Sequence, residues 1–389
     1  MYNRKRKNSN RRSNGAKMNI AMLGHKRIPS REGGIEVAVE ELSRRMVKLG
    51  HTVTCFNRRG KHVSGREYGS VRQDSYKGIL LKTVFTIDYR GLAALTSSLA
   101  ASIRASFGKY DIVHIHAEGP AFMCWLPKRM GKKVVVTIHG LDHKRAKWGK
   151  TASAYIMMGE KNAVKYADEI IVLSESVQEY FRNIYKRETV YIPNGVSYPE
   201  FRNDQCIKDR FGIKKDSYFL FLGRIVPEKG LKYLIEAFKE VNTDRKLVIA
   251  GGSSDTDDFM EEMKRISADD NRILFTGFIQ GEIYKSIFSN AYVYILPSDL
   301  EGMPLSLLEA MSYGNCCLVS DIPECVDVVE NHGAVFRQGD VGELRKALQK
   351  LENEPETVLD YKKKSSDYIC GKYSWDDVTV RTLELYQKI

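Results

Sequence analysis

Short apolar runs alternate with amphipathic stretches along this chain, and the alternation happens twice with a pause between. In the first series Met18–Gly24, His51–Asn57, Ile79–Thr86, Asp111–His116, Lys133–His139 and Glu169–Leu173 read as strands, with helical patterns at Gly34–Leu49 and Leu92–Phe107. The pattern pauses at Ile192-Pro193-Asn194-Gly195, and a polar stretch follows to about Lys215. It restarts with Tyr218–Gly223, Lys246–Gly251, Ile273–Phe278, Ala291–Pro297 and Cys316–Ser320. Near-continuous Val, Ile and Leu suit strands covered on both faces. Strands separated by helices need right-handed crossovers and give parallel sheets. The expected fold class is α/β, with two Rossmann-like domains facing each other across a cleft. The expected divisions are a disordered basic tail over 1–17, an N-terminal domain over 18–197, a C-terminal domain over 198–372 and a closing helix over 373–389.

Composition narrows what the two units can be. Apolar residues make up 43%, enough for a buried core. No apolar run approaches the ~18 residues of a spanning helix. Met1 to Lys17 carries seven basic residues, no acid and no apolar stretch, so it does not read as a secretory signal. Seven cysteines without a CxxC pair read as reduced core residues of a cytoplasmic protein, with no cysteine zinc site. The net charge of +12 is unevenly spread: +13 over 18–197 against −8 over 198–389. A basic half joined to an acidic half points the first domain at an anionic surface. The apolar residues of Leu92–Phe107 are expected to pack into the core, with an amphipathic face toward the membrane as the alternative.

Open parallel sheets bind ligands beyond the carboxyl ends of their strands, and the informative residues lie there. Gly223-Arg224-Ile225-Val226-Pro227-Glu228-Lys229-Gly230 joins a strand to a helix, and its two cations beside free backbone N–H groups suit a diphosphate. Ser298 to Met311 follows another strand. There Pro304 fits a first helical turn, Gly302 permits close backbone approach, and the amides of Gly302, Met303 and Leu305 face the positive end of the helix dipole. Glu301 precedes that helix, and Glu309 sits inside it among Leu305, Leu308 and Met311, where a carboxylate needs a partner. Gly33-Gly34 opens a helix soon after the first strand. His139 ends the strand KVVVTIH, and His116, followed by Glu118, ends another.

These residues carry a resemblance. Glu301-Gly302-Met303-Pro304 with Glu309-Ala310-Met311, the Arg224/Lys229 loop, Gly33-Gly34, Pro193-Asn194-Gly195 and Thr137-Ile138-His139-Gly140 together resemble family four of the retaining glycosyltransferases. The resemblance spans about 18–389 and implies the GT-B fold. It implies a nucleotide diphosphate sugar as co-substrate, held mainly by the C-terminal domain, with no other cofactor and no required metal. The N-terminal domain would hold the acceptor, and the last helix would cross back onto that domain. Residue by residue, Arg224 and Lys229 would clamp the diphosphate and Gly34 would lie against it. Glu309 would take the ribose hydroxyls. Glu301, with the amides of Gly302 to Leu305, would bind the transferred sugar, which His139 would touch from the opposite domain. His116 and Glu118 are the acceptor-side candidates. Met303 stands where the family often has Phe.

The acceptor expected from the basic first half is a glycan or a polyprenyl-diphosphate-linked glycan in cell-envelope, capsular or exopolysaccharide synthesis, with the protein peripheral on the inner face of an anionic membrane. Lys128-Arg129, Lys132-Lys133 and the basic segment 143–150 support that surface. A dinucleotide oxidoreductase is excluded, because 24–34 lacks GxGxxG and Asn57 stands where an acid should follow the second strand. Nucleic acid is not an expected partner, since the basic tail has Tyr2 as its single aromatic residue. The remaining alternative is a non-catalytic nucleotide-sugar-binding partner subunit.

Overall fold

The computed structural model describes residues 16–60, 73–89, 92–144, 149–253 and 256–389. The basic tail to residue 15 and the core of the basic segment 143–150 therefore lie outside the described residues.

The first sheet holds β1 (Asn19–Leu23), β2 (Thr52–Arg58), β3 (Ser75–Tyr76), β4 (Ile79–Val84), β5 (Ile112–His116), β6 (Lys133–Ile138), β7 (Glu169–Val172) and β8 (Val190–Tyr191). Its order is β3-β4-β2-β1-β5-β6-β7-β8, parallel except for the β3–β4 hairpin. The second holds β9 (Tyr218–Leu222), β10 (Lys246–Ala250), β11 (Ile273–Gly277), β12 (Val293–Leu296), β13 (Cys316–Ser320) and β14 (Ala334–Phe336), in the order β11-β10-β9-β12-β13-β14 and parallel throughout. Central strands such as β5 and β13 are buried at every position, as their unbroken apolar runs require.

The two sheets do not float apart. One apolar cluster runs from Met22 and Leu42 through Val196 and Trp375 to Met303, Leu305 and Leu220. The motif Pro193-Asn194-Gly195 sits in this seam. A Cβ on Gly195 would come within 2.5 Å of the Trp375 nitrogen. The Asn194 amide donates to the Met303 carbonyl at 3.2 Å. The closing helix Trp375–Lys388 starts where Ser374 caps the Asp376 amide, then returns to the first sheet: Tyr386 OH meets His114 Nδ1 at 2.5 Å and Arg45 holds Asp376 at 2.6 Å.

One helix departs from expectation. Leu92–Phe107 turns Ser97, Ala101, Ser102, Ala105 and Ser106 inward and leaves Leu92, Leu99, Ile103 and Phe107 at least 40% exposed. Its small residues let it lie close to the sheet, so the large apolar side chains are pushed to the outside. No helix among the described residues is long and apolar enough to cross a membrane. Six of the seven cysteines are buried and all seven are free thiols.

Candidate active site

Both sheets reverse their strand order beside their first strand. β9 lies between β10 and β12, and β1 between β2 and β5. Loops leaving the strands on either side of such a point diverge and open a crevice. In the second sheet those loops are Gly223–Gly230 and Pro297–Pro304. They are tied together, since the Asp299 amide donates to the Glu228 carbonyl at 2.9 Å. Gly230 adopts φ +65°, a conformation that favours glycine, and a Cβ there would also overlap the Pro297 carbonyl.

Charge from one loop is neutralised by the other. Lys229 Nζ donates to Glu301 Oε1, and Ser298 Oγ donates to the same oxygen at 2.6 Å. Lys229 and Glu301 are both buried, and Arg224 is half-buried in the same loop. Two charges taken out of water require such a pairing, because either one alone would carry a large desolvation penalty. Pro304 stands one residue outside the expected helix, as the N-cap of Leu305–Ser312. The Leu307 and Leu308 amides turn back to the Pro304 carbonyl at 3.0 and 3.2 Å, so the positive end of this helix lies at Leu305 and Ser306.

Glu309 has the partners that its apolar surroundings demand. Tyr284 OH donates to Oε2, and Arg31, from the first domain, lies 3.6 Å from Oε1. Burial raises the Glu309 carboxyl above its usual range, against the pull of Arg31 and the Tyr284 hydroxyl. Arg31 and Tyr284 were not legible in sequence: neither lies in a motif, and each reaches Glu309 only through the fold.

Across the crevice, Gly34 is exposed at the N-terminus of helix Gly34–Lys48, and a Cβ on it would sit 3.4 Å from Leu305. Two helix N-termini thus converge, one from each domain, and their partial positive charges suit an anion between them. Gly302 has a packing role that its sequence context did not show. A Cβ there would overlap the His139 carbonyl, so this glycine permits close contact between the domains. The Met303 thioether likewise turns to the Asn194 amide at 3.0 Å, in the seam.

His139 is half-buried, and its Nε2 lies 3.0 Å from His116 Nδ1. His116 stacks on His114 with ring centroids 4.2 Å apart, and His114 bonds Thr137 Oγ1 at 2.7 Å. Burial holds His114 and His116 neutral, the first falling to about 3 and the second well below the usual range, and lowers His25, whose Nε2 lies 3.1 Å from Asn57 Oδ1, to about 4. A cavity of about 20 Å³ beside His116, His139 and Trp375 has room for one water. The acceptor assignment of His116 and Glu118 needs correction. Both are 0% exposed, so neither offers a surface to an acceptor, and His116 instead buttresses His139 from behind. Of the basic segments, Lys128 is paired with Asp168 and Lys132 donates to the Gly108 and Tyr110 carbonyls, so these two cations are spent internally.

Known proteins place this geometry. The model described as Glycosyltransferase Family 4 matches residues 32–198, and that described as Glycosyl transferases group 1 matches 204–367. An uncharacterized glycosyltransferase of Methanocaldococcus jannaschii is 22% identical over 95% of this chain and 98% of its own. The Escherichia coli UDP-Gal:alpha-D-GlcNAc-diphosphoundecaprenol alpha-1,3-galactosyltransferase is 29% identical over 62% of this chain and 66% of its own. Among solved structures, Anabaena HepE in complex with UDP and glucose superposes with a TM-score of 0.79 at 15% identity, covering 96% of this chain and 100% of that one. Two family models laid end to end over the two sheets, on a shared two-domain scaffold, make this chain a group 1 glycosyltransferase of the GT-B fold.

Proposed function

We propose that this glycosyltransferase takes a sugar from a nucleoside diphosphate and passes it, with retention, to a glycan or polyprenyl-diphosphate-linked glycan in envelope or capsule-type polysaccharide assembly. The observation that carries the reading is the buried Lys229–Glu301 pair at the reversal point of the second sheet, with the N-termini of two helices converging beside it. When a donor enters, Lys229 and Arg224 turn to the diphosphate and Glu301 to the hydroxyls of the sugar. Glu309 exchanges Arg31 for the ribose hydroxyls. As the bond to the anomeric carbon breaks, negative charge grows on the diphosphate, where the two cations and the helix amides stabilise it. His139, buttressed by His116, faces the sugar. The acceptor attacks from the face the diphosphate leaves, and a donor phosphate oxygen takes its proton.

Two features support the acceptor class. The E. coli relative acts on a diphosphoundecaprenol-linked sugar. The helix Leu92–Phe107 shows an outward apolar row, with Arg104 on the same helix and Lys109 just beyond it. Such a surface suits shallow contact with an anionic membrane. The test is transfer from a panel of nucleotide sugars to polyprenyl-diphosphate acceptors and to soluble glycans. Product with a lipid-linked acceptor supports the reading. Transfer confined to soluble acceptors removes the lipid, and donor binding without turnover on any acceptor favours a non-catalytic partner subunit.

A further inference from the structure

Behind the histidines, the first sheet carries a second cluster that sugar transfer does not use. Glu118 follows β5, His143 lies in the turn Asp142–Lys144 after β6, and Glu160 sits on helix Lys150–Tyr166. Both glutamates have fully buried side chains, and that of His143 is 12% exposed. Gly159 lets the helix press in, since a Cβ there would overlap the Glu118 carbonyl.

Each carboxylate is held by one oxygen. Glu118 Oε2 accepts from the Asp142 amide at 2.8 Å. Glu160 Oε1 accepts from the Tyr180 and Tyr185 hydroxyls at 2.9 and 2.5 Å. The other two oxygens, Glu118 Oε1 and Glu160 Oε2, are buried without a hydrogen-bond partner, as is His143 Nδ1. These three atoms face one another. Nδ1 lies 3.4 Å from Glu160 Oε2 and 3.7 Å from Glu118 Oε1, and one donor atom from each residue fits within 4.8 Å of the others.

We propose that Glu118 Oε1, His143 Nδ1 and Glu160 Oε2 bind a divalent cation of the zinc type, apart from the diphosphate loops and from the transfer chemistry. A tetrahedral ion with bonds of ~2.0–2.1 Å separates its ligands by about 3.3–3.4 Å, close to the spacing found here. One imidazole with two carboxylates suits zinc better than magnesium, which demands an octahedron of oxygens. The hydroxyl and amide donors to the outer oxygens orient the carboxylates as the outer partners of metal ligands do. The partial exposure of His143 supplies an entry path and a fourth position for water. Because the ligands come from three separate segments, the ion would pin the turn that follows His139 to helix Lys150–Tyr166. Sequence gave no hint of the site, because 118, 143 and 160 form no ligand motif.

The test is calorimetric titration of the chelator-stripped full chain with zinc, with magnesium as the comparison, beside metal analysis by mass spectrometry. Glu160→Gln and Glu118→Gln serve as variants, since an amide oxygen can still accept from the tyrosines or from the Asp142 amide. The wild type should take up one zinc per chain and no magnesium, and melt at a higher temperature with zinc. Either variant should bind at least ~100-fold more weakly. No zinc uptake by the wild type overturns the proposal, whatever the variants do. Uptake undiminished in both folded variants overturns it too, by placing the metal elsewhere.

Discussion

The two walls of the crevice are built on different electrostatic plans. The wall from the second sheet carries paired charge, Lys229 with Glu301 inside the wall and Glu309 with Arg31, which reaches across from the first domain. The wall from the first sheet presents His139, backed by the neutral rings of His116 and His114 and, through Tyr386, by the closing helix. Paired charges can be re-partnered by an incoming anion without leaving a buried ion alone. Neutral rings stacked in the interior cannot follow a ligand, but they hold a geometry. On the proposed function, the difference gives donor capture to one wall and placement of the sugar to the other.

The largest effect should come from splitting the central pair. Lys229→Ala leaves the Glu301 carboxylate buried and unpaired, which costs about 3–5 kcal/mol of stability, and removes a cation from the leaving group, lowering kcat by about 10²–10³-fold. Adding Glu301→Gln should restore much of the melting temperature but none of the turnover. Recovery of both would make the pair structural and erase the contrast between the walls.

The neutral wall should announce itself in acid. His25 and His114 resist protonation until about 4 and about 3 in the fold, whereas an unfolded histidine takes a proton near 6.5. The unfolded state therefore binds more protons below 6.5, and stability falls as pH drops from there, by up to about 1.4 kcal/mol per pH unit for each group. Urea unfolding between pH 7 and 4.5 measures the slope, and His114→Asn should reduce it by one proton. A flat profile would mean that these rings are not held neutral.

Glu309→Ala should weaken nucleotide-sugar binding by about 1–3 kcal/mol in a folded protein, read by calorimetry. Unchanged affinity would take Glu309 off the donor wall. The smallest effect on the fold, about 0.5 kcal/mol or less, belongs to Ile103→Glu with Phe107→Glu, because both side chains already face solvent. Co-sedimentation with anionic vesicles at low salt should nonetheless fall sharply, and retained binding would put the membrane contact elsewhere.

How much of this could be read in advance differs between the walls for a physical reason. The donor wall is two contiguous loops, and a loop between a strand and a helix shows its glycines, its prolines and its charges in order. Arg224, Lys229, Glu301 and Glu309 were all visible that way. The other wall is assembled from side chains that meet only after β5 and β6 are paired. His116 looked like a strand-end ligand, because the sequence shows that a residue ends a strand but not that the closing helix and His139 cover it. Arg31 reaching Glu309 and Met303 turned to Asn194 were hidden for the same reason, and the sequence left Leu92–Phe107 between a core face and an outward one: each depends on which neighbour the fold supplies.

The division of labour is tested most directly by measuring nucleotide-sugar affinity and turnover together, for wild type, Arg224→Ala and His139→Ala. Arg224→Ala should weaken both donor binding and kcat, while His139→Ala should lower kcat and leave the affinity for the free nucleoside diphosphate unchanged. Nucleotide affinity that falls with His139→Ala and survives Arg224→Ala would contradict the account, and would place the donor on the first sheet.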